Sequence, residues 1–208
     1  MALARTELKE YCIYRSVDFN KLMAIAGIMK LRDSYTETHE RRVADYSQRL
    51  AQRLGLHDLE IGQIAIGGML HDIGKVYMSD RIFTNQSAKL SKEMMAEVRR
   101  HPLNGVMLLK HIDFLKPVLK YILFHHERID GSGYPFGLKG ADIPLGAQII
   151  SVADCFVAIT TDRPYKKSQG KETAFAILKA SKGTAFYGEV VDSFVMEIEE
   201  NGMVLTDD

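Results

Sequence analysis

Apolar residues recur every three or four positions along most of this chain, which is the period of an amphipathic α-helix. The segment TETHERRVADYSQRLAQRLG shows this period clearly. Its inward face would carry His39, Val43, Tyr46, Leu50 and Leu54. Gly55 follows, and a helix commonly ends at such a glycine. No stretch shows a convincing alternation of the strand type, so the pattern predicts an all-α fold.

The same period, together with capping residues, predicts seven further helical segments. These are a region near residues 17–31, the segments from Asp58 to His71, from Ser91 to a break at Pro102 and from Asp113 to His126, and the stretches PLGAQIISVADCFVAITT, KETAFAILKAS and GEVVDSFVMEIEE. Residues 127–143 contain four glycines and a proline, which predicts a long loop. Long loops inside compact domains are often functional.

Composition and charge narrow the class of protein. A chain of 208 residues with 46% apolar and 26% charged residues is typical of one globular domain with a sizeable core. Lysine plus arginine equals aspartate plus glutamate at 27 each, so no net charge attracts a nucleic-acid polymer. No apolar stretch approaches the roughly 20 residues of a membrane span, and the N-terminus lacks a secretory signal. We therefore expect a cytoplasmic protein, in which Cys12 and Cys155 are reduced.

Side chains of the metal-ligand type interrupt otherwise apolar segments. Asp154 lies within IISVADCFVAI, where a lone ionised carboxylate is costly unless it is paired with a cation. Taken alone, Asp154 is explained better as a core residue with a hydrogen bond or an ion pair than as a metal ligand. Taken alone, His71 is explained better as a core histidine whose ring nitrogens have hydrogen-bond partners. The number of such residues favours a shared site instead, because the pairs His71-Asp72 and His125-His126 also lie at helix ends. Several helices must converge to make one site, whereas His57 and His111 are expected to be structural or exposed.

The residue types indicate which ions such a site would take. Imidazole and carboxylate suit iron, manganese, nickel, cobalt or zinc, and the lack of clustered cysteines is unlike structural zinc. A bridging carboxylate would permit two ions about 3.5 to 4 Å apart, where a shared hydroxide can attack phosphorus. That arrangement suits phosphodiester hydrolysis.

An ordered series of motifs resembles the HD-GYP family, a branch of the HD metal-dependent phosphohydrolases. The motifs are HERRV, LHDIGK, RRHPLNG, HHERIDGSGYP and VADCF...TTDRPYK. The match extends from about His39 through Arg163, with weaker similarity to Val191. The resemblance implies an HD-type helical bundle with a long glycine-rich loop over residues 33–208, after an N-terminal helical extension of residues 1–32. It also implies hydrolysis of cyclic di-GMP to linear pGpG and sometimes onward to GMP, although some members accept cyclic GMP-AMP instead.

The resemblance also implies roles for individual residues. Two divalent ions, iron or manganese before nickel, cobalt or zinc, would form a dinuclear centre with a bridging hydroxide. The ligands would be His39, His71, Asp72 and Asp154 for one ion and His101, His125 and His126 for the other, with Asp72 bridging the two. Asp72 and Lys75 would be catalytic. Lys75, Arg163 and Lys166 would contact phosphate, and Tyr134 would fix the loop, stack on the substrate or dock a partner such as a GGDEF-domain diguanylate cyclase.

Several positions depart from the family pattern. Tyr35 replaces a glutamate that accompanies a third ion, so two ions are expected. Asn85 lies near an expected lysine, which Lys89 replaces imperfectly. Gln148, Val157 and the FYG at residues 186–188 lie outside the implied ligand set, and altered supporting residues can loosen ligands. Two alternatives therefore stay open: a noncatalytic module that binds a cyclic dinucleotide or docks a diguanylate cyclase, and a hydrolase that acts on another nucleotide.

Overall fold

The computed structural model describes residues 19–30, 34–85, 89–162 and 167–203. Within these ranges the α-helices are α1 (Phe19–Lys30), α2 (Ser34–Arg53), α3 (Asp58–Leu70), α4 (Asp80–Phe83), α5 (Lys92–Val98), α6 (His101–Leu109), α7 (Leu119–Phe124), α8 (Leu145–Thr160), α9 (Gly170–Ala180) and α10 (Gly188–Asn201). Short 3-10 helices span Ile73–Tyr77, Asp113–Val118 and Gly140–Asp142. The described residues form no strand, only two isolated bridges, which confirms the predicted all-α class.

The larger apolar core joins α2, α8, α9 and α10. Val43, Tyr46 and Leu50 of the predicted inward face of α2 are buried there, and Leu54 is partly buried against this core. Tyr46 meets Phe156 and Phe194 edge to face, at ring-centroid distances of 5.2 and 5.7 Å. Such pairs of aromatic rings stabilise a core beyond the area that they bury. The helix ends after Arg53, and Gly55 takes a φ of +72°, as the sequence predicts.

A second apolar cluster joins α1 to the helices that carry the candidate site. Its buried members come from α1, α2, α3, α6, α7 and the two 3-10 helices that precede α4 and α7. Leu22 of α1 is fully buried in this cluster, so α1 packs directly on the rest of the bundle. The predicted division between residues 1–32 and 33–208 stays a prediction, because residues 31–33 lie outside the described residues.

One close backbone approach fixes the geometry around the motif LHDIGK. A Cβ at Gly74 would overlap the carbonyl oxygen of His101 and lie 2.5 Å from the amide nitrogen of Gly105. Only glycine permits the 3-10 helix after Asp72 to approach α6 so closely. This approach brings Asp72 and His101 to neighbouring positions.

Some predicted helix boundaries are wrong. The N-cap of α3 is His57 rather than Asp58, which lies in the first turn, where a carboxylate suits the positive end of the helix dipole. The helix predicted from Asp113 begins as a 3-10 helix that contains Pro117 and becomes α-helical at Leu119. The segment that Ser91 caps ends at Val98, and α6 then begins at His101.

Other predictions hold. Ser91 accepts a hydrogen bond from the amide of Met94 at 3.2 Å, and His57 and His111 are exposed. None of the described helices combines the length and the hydrophobicity that a membrane span requires.

Candidate metal centre

Five separate segments bring the seven predicted ligands to one place. His39 lies on α2, the pair His71-Asp72 follows α3, His101 begins α6, the pair His125-His126 follows α7, and Asp154 lies on α8. Six of them form two groups of ligand atoms that share Asp72, and Asp154 lies beside His39 and His71. We define the first group as His39, His71, Asp72 and Asp154, and the second group as Asp72, His101, His125 and His126. The predicted convergence of several helices on one site is therefore observed.

Carboxylates and imidazoles face each other in the first group. The Oδ1 atom of Asp154 lies 3.1 Å from Nε2 of His39 and 3.9 Å from Nε2 of His71. The same His71 nitrogen lies 3.4 Å from Oδ2 of Asp72. Among the described residues, Asp154 is thus paired with histidines and not with a lysine or an arginine, and its side chain is 22% exposed. Imidazole nitrogens and carboxylate oxygens are donor atoms of the kind that divalent metal ions bind.

Imidazoles dominate the second group. The Nε2 atom of His101 lies 3.3 Å from Oδ1 of Asp72 and 3.2 Å from Nε2 of His125. The rings of His125 and His126 have centroids 4.1 Å apart, and the ligand atoms of this group lie within 4.8 Å of one another. The two oxygens of Asp72 thus face different groups, as a bridging carboxylate requires.

Backbone carbonyls orient three of the histidines. The Nδ1 atoms of His71, His101 and His125 lie 2.7, 2.8 and 2.7 Å from the carbonyl oxygens of residues 68, 98 and 122. Each carbonyl belongs to the last turn of a helix, where such groups lack an intrahelical partner. A histidine that donates from Nδ1 presents the lone pair of Nε2 to the cluster. The helix ends therefore fix both the ring direction and the tautomer that a metal ion needs.

Burial keeps most of these imidazoles neutral. It lowers the pKa of His101 to about 3 and of His126 to about 4, and it lowers the pKa of His125 well below the ordinary value. Burial also lowers the pKa of His39, although Asp154 opposes the shift. At neutral pH these four rings carry no extra proton, so they can donate lone pairs to a metal ion.

His71 and Asp72 behave differently. Burial lowers the pKa of His71, but the negative charges of Asp72 and Asp154, together with the hydrogen bond to the carbonyl of Gly68, outweigh burial and raise the pKa to about 9. Burial raises the pKa of Asp72, but the charges of Lys75 and His71 hold it well below its ordinary value. Without an ion, a proton on His71 supplies part of the positive charge that the carboxylates require.

The side chains present fit divalent metal ions. Among the described residues, Nε2 of His71 and Oδ1 of Asp72 are buried without a hydrogen-bond partner. An unsatisfied buried polar atom costs about 1 to 3 kcal/mol, which a bound cation between the two groups would remove. The donor set of imidazole nitrogens and carboxylate oxygens suits iron, manganese, nickel, cobalt or zinc. The donor set therefore fits divalent metal ions, while the number of ions stays a prediction.

A protein-family comparison gives the family. The model of the family described as HD domain matches residues 24–191. The chain belongs to the HD domain family. This membership confirms the resemblance that the ordered motifs indicate.

Curated relatives of this HD domain include phosphodiesterases. It is 34% identical over 197 residues to a cyclic di-GMP phosphodiesterase of Thermotoga maritima. This alignment covers 93% of this chain and 53% of that protein. It is also 34% identical over 157 residues to a 3'3'-cGAMP-specific phosphodiesterase of Vibrio cholerae, which covers 76% of this chain and 36% of that protein. The chain thus spans about half the length, or less, of these two relatives.

A solved structure confirms the fold of this HD domain. An HDG"Y"P protein from Bdellovibrio bacteriovorus matches with a TM-score of 0.66 at 23% identity, covering 92% of this chain and 62% of that chain. The predicted HD-type helical bundle is therefore confirmed.

Lys75 and Asp154 mark the open side of the HD domain's centre. Lys75 Nζ forms a short ion pair with Oδ2 of Asp72, and its side chain is 33% exposed. Asp72 and His101 are buried beneath, whereas Asp154 and His126 are partly exposed. The centre is therefore exposed to solvent on the side of Lys75, Asp154 and His126.

Tyr134 packs against the second group. Its ring stacks on that of His126 with centroids 4.6 Å apart, and the guanidinium of Arg99 lies over the Tyr134 ring at 5.5 Å. Burial, followed by the charges of Asp72 and Asp154, raises the pKa of Tyr134 above its ordinary value. These contacts give Tyr134 a structural role in the loop, while its roles toward a substrate or a partner stay predictions.

Sequence reasoning missed Glu127. This carboxylate, 1% exposed, accepts hydrogen bonds from the amides of Phe136, Gly137 and Leu138 at 2.7, 3.2 and 3.0 Å. An acidic residue directly after two histidines and before a glycine-rich loop was the available signal. It resembles any surface glutamate until the loop folds over it.

Two of the substituted supporting positions have partners in this chain. Gln148 is buried, donates to the carbonyl of Glu127 and accepts from the amide of Tyr187, both at 3.3 Å. The Tyr187 hydroxyl donates to the carbonyl of Gly140 at 2.5 Å. Val157 is buried in the apolar core. Gln148 and Tyr187 therefore link α8, the start of α10 and the glycine-rich loop.

Several predicted residues cannot be placed. Arg163 and Lys166 lie outside the described residues, as does Cys12, and the side chain of Tyr35 is not described. Asn85 and Lys89 flank residues 86–88, which also lie outside the described part. The predicted phosphate contacts of Arg163 and Lys166 and the exclusion of a third ion stay predictions.

Proposed function

We propose that this HD domain hydrolyses a phosphodiester bond of cyclic di-GMP to give linear pGpG. The observation that carries the proposal is the pair of ligand groups that share Asp72. The names of the relatives in Thermotoga and Vibrio support a cyclic dinucleotide as the substrate class. A noncatalytic module would not need seven ligand side chains oriented at one centre.

The two groups would hold two divalent ions, and iron or manganese is preferred over nickel, cobalt or zinc. When bound, such ions lower the pKa of water and stabilise the charge that develops on the oxygens of a phosphodiester. The neutral imidazoles would donate nitrogen lone pairs to these ions, and Asp72 would offer one oxygen to each group. Burial of His71 and His101 keeps water away from the floor of the centre.

The cationic side chains of the chain would bind the phosphate. Lys75 is partly exposed beside Asp72, so its ammonium can hold a nonbridging oxygen at the open side. We propose Arg163 and Lys166 as further phosphate contacts, because they follow the helix that carries Asp154. Together these cations would neutralise charge on the substrate before and during cleavage.

Cyclic GMP-AMP is the second candidate substrate. The specific support is the relative in Vibrio cholerae, which is named for this dinucleotide. Both substrates carry the same phosphodiester backbone, so the metal centre would treat them alike. The contacts to the bases would decide between them.

The proposal is tested by a turnover assay. Anaerobically purified protein, loaded with Fe²⁺ or Mn²⁺, is incubated with cyclic di-GMP, cyclic GMP-AMP or a nucleoside monophosphate, and the products are resolved by chromatography. We expect pGpG from the first substrate and its loss in Asp72→Ala, while Asp113→Ala retains it because Asp113 is 90% exposed. Tight binding of cyclic di-GMP without cleavage, or cleavage that survives in Asp72→Ala, would overturn the proposal.

Two further statements about location and partners stay predictions. The cytoplasmic location is one of them. The other is a GGDEF-domain partner, for which Phe136, 60% exposed in the glycine-rich loop, offers an apolar contact.

A further inference from the structure

His126 differs from the other histidines of the second group in what holds its ring. His101 and His125 each bond a carbonyl oxygen through Nδ1, as does His71 in the first group. Among the described residues, the His126 ring makes no such bond. Its close neighbours are the rings of His125, His101 and Tyr134, and Tyr134 is stacked on it. The orientation of His126 therefore depends on the glycine-rich loop, in which Tyr134 lies.

The loop in turn closes around Glu127. The amide of Tyr134 donates to the carbonyl of His126 at 3.1 Å, and a Cβ at Gly133 would lie 2.5 Å from Cα of Glu127. Beyond Tyr134 the chain returns, and the three consecutive amides of residues 136–138 point at the Glu127 carboxylate. Successive amides of this kind form a concavity that holds an anion. Here the anion is a side chain of the protein itself.

We propose that Glu127 is the positioning residue of the second group, because its carboxylate fixes the loop that holds Tyr134 against His126. It touches neither a substrate nor an ion, and it acts through the loop. The inference rests on the metal centre proposed above and not on the identity of the substrate. It gives the glycine-rich loop a role in metal binding.

The variant Glu127→Gln tests the inference, because it preserves size and removes the charge that three amides require. We expect the affinity of the second group for its ion to fall by about 10- to 100-fold, which is the usual effect of losing a group that orients a ligand. The first ion should bind as in the parent protein. Binding of both ions is measured by Mn²⁺ titration, and amide hydrogen exchange at residues 136–138 reports the loop, where protection should fall.

A matched control separates positioning from general stability. Glu197 is also buried and accepts hydrogen bonds from Arg49 and Arg53, but it lies on α10. Glu197→Gln should lower the melting temperature while both ions bind as in the parent protein. Unchanged binding of the second ion in Glu127→Gln, or equal weakening of both ions, would overturn the inference.

A second pair of variants keeps the inference testable if Glu127→Gln does not fold. Tyr134→Leu removes the stacked ring and should lower the affinity of the second group for its ion. Tyr134→Phe keeps the ring, so this affinity should stay as in the parent protein. Equal affinities in the two variants would contradict the inference. If the parent protein binds both ions but cleaves no cyclic dinucleotide, the proposed function fails and this inference stands.

Discussion

The two ligand groups share Asp72 but differ in charge and in what holds their side chains. The first group sets Asp72 and Asp154 against two imidazoles, and a proton on His71, whose pKa is about 9, balances part of this charge. The second group sets three imidazoles against one oxygen of Asp72, and burial lowers the pKa of all three. One group is therefore balanced by a proton, and the other is neutral and held in place by packing.

This difference has consequences for how each group would bind an ion. An ion at the first group must displace the proton of His71, so its affinity is linked to pH. An ion at the second group meets neutral nitrogens, so its affinity depends on how well the rings are positioned. Positioning there comes from helix ends, from the close approach at Gly74 and from the glycine-rich loop.

Removing one predicted ligand from each group should have the largest effect, because each variant should lose the ion of one group only. His39→Ala should lose the ion of the first group, and His125→Ala should lose the ion of the second, as elemental analysis would measure. Turnover should fall by more than about 100-fold in each, beyond the usual effect of losing a supporting group. His111→Ala is the control, because this exposed histidine should leave both ions in place. Retention of two ions in His39→Ala would show that the first group is not a metal site.

Gly74→Ala should break the second group through the backbone. The new Cβ would overlap the carbonyl oxygen of His101, and backbone atoms cannot yield as a flexible side chain can. We expect a loss of about 3 kcal/mol or more in the free energy of unfolding, at the upper end for an overpacked site. Urea denaturation measures the loss.

Gly188→Ala provides the control for this substitution. Its Cβ would meet its nearest neighbour at 3.9 Å, which is ordinary contact, and alanine favours a helix. The free energy of unfolding should therefore change by no more than about 1 kcal/mol. If Gly74→Ala were equally mild, the close approach would not be what positions His101.

The sequence was informative where local chemistry decides the structure. Helical period and a following glycine predicted α2, and histidines and aspartates that ended or interrupted apolar helices indicated a shared site. The set of seven predicted ligands came from the family resemblance. Gly74 and Glu127 carried no comparable signal. Their roles depend on α6 and on residues 136–138, which approach them only in the folded chain. Local pattern also did not predict the 3-10 helix from Asp113 to Val118.

The smallest expected effect is a difference between the two groups in how their affinity for an ion depends on pH. In His125→Ala, which keeps the first group, the affinity for Mn²⁺ should rise about tenfold per pH unit up to the His71 pKa of about 9 and then level off. The sign follows because the raised pKa keeps a proton on His71 that an ion must displace. In His39→Ala the second group should show little change above pH 6, since His101 and His126 have pKa values of about 3 and 4. Mn²⁺ titrations at several pH values measure both slopes, and a flat profile in His125→Ala would mean that no proton balances the first group.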